Sequence, residues 1–230
     1  MNRVYRSEDI YKNLMIARFS PLDVLVVGGT GAGKSSTINA FFEKEVMKVG
    51  RHCDPETMNI SSIKMDELIR FWDSPGLGDN INSDRRYSKE LVELLYKEYY
   101  MQGNKYGLID TVLVILDGSS RDLGTTYRLL NEVVVPNIQI NRILVAINQA
   151  DMAMKGRHWY EKHNCPDEVL MSFLEEKADS VRRRLAEATN VKVLRKPVFY
   201  SAERGYNVKN VLDMIIDNMP RERRKLICQY

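Results

Sequence analysis

Residues 28–36 read GGTGAGKSS, and Gly28, Gly33, Lys34 and Ser35 fall on the spacing G-x-x-x-x-G-K-[ST]. Glycine at 29, 31 and 33 permits positive φ and close backbone approach. The amides of Gly29, Thr30, Gly31, Ala32, Gly33, Lys34, Ser35 and Ser36 can therefore turn inward around a phosphate chain at the start of a helix. Lys34 supplies a point charge for the terminal phosphates, and the Ser35 hydroxyl is an expected Mg²⁺ ligand. The same letters also describe a glycine-rich helix cap. Their position between a β-branched strand and an amphipathic helix favours the phosphate reading.

A second constellation, FWDSPGLGD, gives Asp73 and Gly76 a D-x-x-G spacing. Asp73 stands where a strand-end carboxylate would hold Mg²⁺, and the Gly76 amide where it would sense a γ-phosphate. Read alone, the tetrapeptide is a Ser-Pro-Gly turn. Between the two constellations Val49 to Ser62 is polar and turn-rich. A hydroxyl from it is needed to complete the metal shell in the triphosphate state. Thr57 is the expected residue, with Ser61 and Ser62 as competitors. The expected catalytic set is Lys34, Thr57 and Gly76, and the expected metal set is Ser35, Thr57 and Asp73.

The third constellation is Asn148-Gln149-Ala150-Asp151, followed downstream by Ser201-Ala202-Glu203. Guanine presents two donors, N1–H and the 2-amino group, and an ionised Asp151 is an acceptor-only fork that matches them. Adenine lacks the 2-amino group and carries an acceptor at N1. Asp151 thus selects GTP and GDP over ATP. Asn148 would tie the purine to the glycine loop, and the Ala202 amide would face guanine O6.

These residues need rigid elements behind them. Leu22 to Val27, Leu68 to Trp72, Thr111 to Leu116, Arg142 to Ile147 and Pro197 to Tyr200 are short buried-strand candidates. Each ends close to a small or polar cluster, and helical patterns lie between most of them. Ile38, Phe41 and Phe42 share one helical face, and Ile10, Leu14 and Ala17 predict an amphipathic helix over 7–19 that Pro21 closes. The expected fold class is α/β, a P-loop NTPase fold with a mostly parallel sheet covered by helices on both faces and ligands at the carboxyl ends of the strands. No internal repeat or linker divides the chain, so residues 1–230 are expected to form one domain with a short basic tail, 221–230.

Composition is 44% hydrophobic and 28% charged, ordinary for a globular protein. The net charge of +3 marks no nucleic-acid or membrane-surface field. Three cysteines without CxxC spacing suggest reduced thiols, and apolar runs are too short to span a bilayer. The expected location is the cytoplasm. The His/Cys-containing stretch Met152 to Glu168 lacks metal-ligand spacing and is expected to be a loop beside the base site. Arg182 to Arg184 and the Arg221–Lys225 cluster are expected to be solvated surface, with rRNA or acidic lipid as alternatives.

In order along the chain, GGTGAGKS, Thr57, DSPG, NQAD and SAE resemble the TRAFAC-class P-loop GTPases. GKSSTINAFF, WDSPGLGD and NQAD resemble the Era-like and bacterial YfjP/YeeP-type members, often grouped as ribosome-binding. The resemblance implies GTP hydrolysis with Mg²⁺ and a possible ribosomal or rRNA partner. Gln149 stands where the family carries Lys, which weakens stacking on the guanine face. Leu77 stands where many members carry a water-positioning Gln, which implies slow intrinsic hydrolysis. Gly31 replaces the asparagine that holds K⁺ in some relatives. Activation by a partner or by nucleotide-dependent homodimerisation, delivering Arg85 or Arg86, is the resulting expectation. A nucleotide-gated binding module with little turnover, or an ATPase with a degenerate base site, are the alternatives.

Overall fold

The computed structural model describes residues 5–47, 60–78, 81–101, 103–120, 124–189 and 195–226. In chain order the first elements are α1 (Ser7–Ala17), β1 (Leu22–Gly28), α2 (Lys34–Phe42), β2 (Ser61–Met65), β3 (Ile69–Asp73) and α3 (Ile81–Leu95). A hairpin, β4 (Glu98–Met101) and β5 (Asn104–Gly107), precedes β6 (Thr111–Asp117) and α4 (Gly124–Arg128), which runs on as a wider π-turn over Leu129–Val134. Then come β7 (Ile143–Asn148), the short hairpin β8 (Trp159–Tyr160) and β9 (Cys165–Pro166), α5 (Glu168–Thr189), β10 (Val198–Phe199) and α6 (Val208–Asp217).

The central sheet has the order β10-β7-β6-β1-β3-β2, parallel throughout except for the edge strand β2. Side chains of a strand alternate between faces, so a strand buried on both sides is apolar throughout. Val24, Val26, Leu113, Ile115, Leu144 and Ala146 pack with α1, α2 and α6, among them Ile10, Ile38 and Val211. Leu25, Val27, Val112, Val114, Val145 and Ile147 pack on the other face with Leu91, Leu130, Leu170 and Leu174. The parallel register aligns the carboxyl ends of β1, β3, β6 and β7 along one rim, with Val26 opposite Asp73 and Asp117 opposite Asn148.

Three sequence expectations need correction. The first helix ends at Ala17, inside the expected 7–19 span, because Arg18 turns left-handed (φ 58°) and the Phe19 amide returns to the Leu14 carbonyl. Ser61 and Ser62, read as loop residues, open strand β2, where Ser61 lies opposite Asp73. Thr57 lies outside the described residues. The basic cluster 221–225 is not uniformly solvated, since Arg223 and Arg224 are buried.

Those two arginines belong to a charged network at the amino ends of the strands, away from the rim. Asp23 accepts from Arg70 Nε at 2.5 Å and from Trp72 Nε1 at 2.7 Å, and Arg223 donates to Asp110 Oδ2 at 2.5 Å. Burial lifts the Asp110 carboxyl to about 7 against the pull of Arg223, and lowers the Arg224 guanidinium to about 10. Arg224 donates to the carbonyls of Ile109, Asn137 and Leu95, joining the end of α3 to the segment before β6. Removing it leaves buried acceptors unmet. Arg224→Ala is therefore expected to cost about 3 kcal/mol or more, a fall in Tm of roughly 6–12 °C for a chain this size. GDP affinity of the folded fraction should be unchanged, and a calorimetric Tm equal to that of the parent would contradict the assignment.

Candidate functional site

The loop from Gly28 to Gly33 joins β1 to α2, and Gly31 (φ 76°) and Gly33 (φ 85°) both sit in the left-handed region. A Cβ at Gly33 would also collide with the Asn148 side-chain amide, so glycine is needed there twice over. The first-turn amides of Lys34, Ser35 and Ser36 have no intrahelical acceptor and carry the positive end of the helix dipole. Two of the expected amides are already engaged. Thr30 donates to the Leu77 carbonyl at 2.8 Å and Ala32 to the Gly29 carbonyl at 3.2 Å.

Lys34 is buried, and its ammonium bonds the Gly28 and Gly29 carbonyls at 3.3 and 3.1 Å, which anchors the charge under the loop. Ser35 Oγ donates to Asp73 Oδ2 at 2.6 Å, whereas Asp73 Oδ1 is buried with no hydrogen-bond partner among the described residues. Burial raises the Asp73 carboxyl above its usual range, with the Ser35 bond and the Lys34 charge opposing. A hydroxyl beside an unsatisfied carboxylate oxygen suits a hard cation that takes few protein ligands and keeps water or phosphate in its shell, so these residues fit Mg²⁺.

The segment after β3 lies flush on the glycine loop. Leu77 forms a parallel bridge with Gly29, its side chain is buried in the core, and a Cβ on Gly76 would lie 2.5 Å from both Cα and Oγ1 of Thr30. Position 77 thus presents backbone, and no side chain, to the phosphate end of the site. Further along, α3 begins at Ile81 and Tyr87 is a core residue. Gly76→Ala must push the segment away from Thr30. GTP hydrolysis is expected to fall about tenfold or more, as misplacement near 1 Å does elsewhere, with GDP binding retained. Single-turnover phosphate release would test this, and an unchanged rate would contradict the close approach.

At the far end of the rim, Asn148 Nδ2 donates to the Ala32 carbonyl at 3.0 Å and Asn148 Oδ1 accepts from the Ala202 amide at 3.0 Å. One side chain therefore ties the glycine loop to the 201–203 turn. The Ala202 amide, expected to face a base oxygen, is committed to Asn148 in this structure. Ser201 shapes the turn, bridging to Tyr206 and accepting from the Arg204 amide, while Glu203 is exposed. Gln149 is left-handed (φ 60°), and its side chain donates to the Gly31 carbonyl at 2.7 Å, a brace on the glycine loop that the sequence reading did not anticipate. Asp151 is buried one turn on, with Arg204 Nε 3.7 Å from its Oδ2. Behind the rim, the Tyr200 hydroxyl meets Thr37 Oγ1 at 2.6 Å and locks α2 to the last strand.

The stretch 152–168 is a short 3₁₀ turn and the β8–β9 hairpin. His158 Nδ1 lies 2.7 Å from Asp167 Oδ2, and Trp159 packs edge-on against Tyr206 at 5.2 Å. Arg204 and Glu161 were absent from the sequence reading. The only available signal was an arginine directly after Ser201-Ala202-Glu203.

Residues 23–149 match the family described as "50S ribosome-binding GTPase". The uncharacterized protein YkfA of Escherichia coli strain K12 is 27% identical over 130 residues, 56% of this chain and 41% of that protein. Toc33 from Arabidopsis thaliana, solved with GDP and Mg²⁺ and also as a dimerization-deficient mutant, has a similar fold. The GDP complex superposes with TM-score 0.63 at 16% identity, over 96% of this chain and 95% of Toc33. Era from Aquifex aeolicus bound to GDP and AlF4⁻ gives 0.55 at 16% identity, over 92% of this chain and 63% of that one. The chain spans less than half the length of the curated relatives it matches. No helix among the described residues is long and apolar enough to cross a membrane.

Proposed function

The chain belongs to the 50S ribosome-binding GTPase family, and on that premise we propose that it is a guanine-nucleotide switch that binds GTP and GDP with Mg²⁺ and hydrolyses GTP slowly. The observation that carries this reading is Asn148, whose amide joins the Ala32 carbonyl to the Ala202 amide and so brings Asp151 into one rim with the glycine loop. Phosphate and base recognition are then built from one connected backbone.

In this reading Lys34 and the first-turn amides of α2 hold the β- and γ-phosphates and stabilise charge on the transferring phosphoryl group. Ser35 and Asp73 would hold Mg²⁺, which when bound neutralises phosphate charge, and Thr57 completes the set in the triphosphate state. Gly76 reads the γ-phosphate through its amide. Its tight seat against Thr30 means that a small displacement of one segment moves the other. Asp151 accepts the two guanine donors, and Asn148 and Gln149 keep the loop fixed beside it.

Leu77 favours a second reading of the same site, a nucleotide-gated binding module with little turnover, because its buried side chain leaves no group at that position to orient water. A partner or a second copy must then supply the missing element. Arg85 and Arg86 are exposed on α3, Arg86 paired with Glu90 at 3.0 Å, and either could be delivered across a nucleotide-dependent homodimer. Membership of a 50S ribosome-binding family favours a ribosome or rRNA as the alternative partner, and the cytoplasm is the proposed location. Residues 1–230 act as one domain in this account. Support for that comes from Arg6, which holds α1 to α6 through Asp213 and Asp217, and from the buried Arg223 and Arg224.

The test is the GTP turnover rate measured against protein concentration and against added 50S subunits. A rate that rises with either supports a stimulated switch. A flat, negligible rate in both leaves the gated binder.

A further inference from the structure

The cation beside the proposed base site is not where the family motif puts it. Gln149 occupies the lysine position of that motif, and its side chain points to the Gly31 carbonyl. A charge is provided instead by Arg204, which approaches the Asp151 carboxylate. Both terminal nitrogens of Arg204 donate to Glu161, at 2.9 Å each, and its Nε faces Asp151 Oδ2 at 3.7 Å. A second tie, from Asn164 Nδ2 to the Arg204 carbonyl at 2.8 Å, holds the same backbone to the β8–β9 hairpin.

This geometry separates two roles an arginine could play. A guanidinium that paired directly with Asp151 would use the carboxylate's lone pairs and compete with a base for them. Here the bidentate fork is spent on Glu161, which fixes the guanidinium plane. The remaining Nε lies beyond hydrogen-bond distance of Asp151. The guanidinium faces the carboxylate without hydrogen-bonding it, and both oxygens remain available as acceptors.

We propose that Arg204 is a positioning residue for nucleobase recognition: clamped by Glu161, it orients the Asp151 carboxylate toward the two guanine donors and couples the 157–167 hairpin to base binding. The inference rests on the reading of Asp151 as the guanine acceptor. Arg204 acts through Asp151 and touches no reacting atom.

The test uses the whole chain and titrates GDP, inosine diphosphate and xanthosine diphosphate in Mg²⁺. Inosine diphosphate keeps N1–H and lacks the 2-amino group, so the ratio of GDP to inosine diphosphate affinity reads how squarely Asp151 meets both donors. Arg204→Ala is expected to weaken GDP binding about tenfold and to compress that ratio several-fold, in line with loss of one charge-assisted contact. Glu161→Gln should move both in the same direction by less, and Arg204→Lys, which keeps charge without the fork, should restore only part. Both sites are exposed on at least one side, so the variants should fold. An unchanged ratio and affinity in Arg204→Ala would make the pair a surface ion pair and overturn the inference, as would tighter GDP binding, which would show competition for Asp151. Asp151→Asn in the same assay separates the levels. If it moves preference to xanthosine diphosphate while Arg204→Ala changes nothing, only this inference fails. If it changes nothing, the base-site reading fails and takes this inference with it.

Discussion

Lys34→Ala is expected to lower GTP affinity by about two to three orders of magnitude, the scale on which loss of one preorganised donor to an anion acts in a water-poor site. The ammonium lies over the Gly28 and Gly29 carbonyls at the foot of the loop, and the residue is buried. Position and charge are thus supplied by one group, and no neighbouring cation among the described residues of the loop can take its place. Lys34→Met keeps the stem volume and separates charge from packing. If it binds as poorly as the alanine variant while its Tm stays near that of the parent, the ammonium is the active element. Lys34→Arg should not rescue, because a planar guanidinium cannot sit as a compact point charge above two carbonyls. Isothermal titration with the non-hydrolysable triphosphate measures all three. Near-parental affinity in Lys34→Met would contradict phosphate binding at this loop.

Asp151→Asn is expected to exchange the nucleotide preference of the site. The carboxylate offers two acceptors to guanine N1–H and the 2-amino group. An amide offers one acceptor and one donor, which matches xanthine N1–H and O2. Guanine would then place its 2-amino donor against an amide donor inside a buried site, and buried polar mismatches are costly. GTP affinity should fall about a hundredfold or more, within the range seen when a site built for hydrogen bonding meets the wrong group. Xanthosine triphosphate should gain by a similar factor. Asn148 and Gln149 continue to bind the loop carbonyls in this variant, so the phosphate end remains intact and the change is confined to the base. Equal weakening for both bases would indicate collapse of the turn and not a change of complementarity.

Much of this was legible in the sequence because its signals are local. The glycine loop, Lys34, Ser35 and the β-branched runs of β1, β6 and β7 are contiguous, and a strand buried on both faces has few alternatives. The order of the motifs placed Asp73, Asn148 and Asp151 at strand ends, where the structure has them. What escaped depends on distant partners. Strand β2, SSIKM, is a half-polar edge strand with little periodicity, and pairing with β3 decides it. Arg223 and Arg224 read as solvated because nothing nearby in sequence announces that Asp110, Ile109 and Asn137 surround them. Arg204 and Glu161 are separated by β9, α5 and β10, and only the fold pairs them beside Asp151. The Ala202 amide was assigned to the base on motif order alone, whereas Asn148 competes for it at hydrogen-bond distance.

Guanine selectivity joined to phosphate binding is the centre of the account. The direct measurement is displacement of a fluorescent GDP from the purified chain in Mg²⁺ by unlabelled GTP and by ATP, followed by phosphate release from whichever displaces. Displacement by GTP and not by ATP, with a slow release of phosphate, is the predicted result. Displacement by ATP at similar concentration, or by neither nucleotide, would contradict it and reduce the Asn148–Asp151 and Ser201–Glu203 segments to turns at the ends of strands.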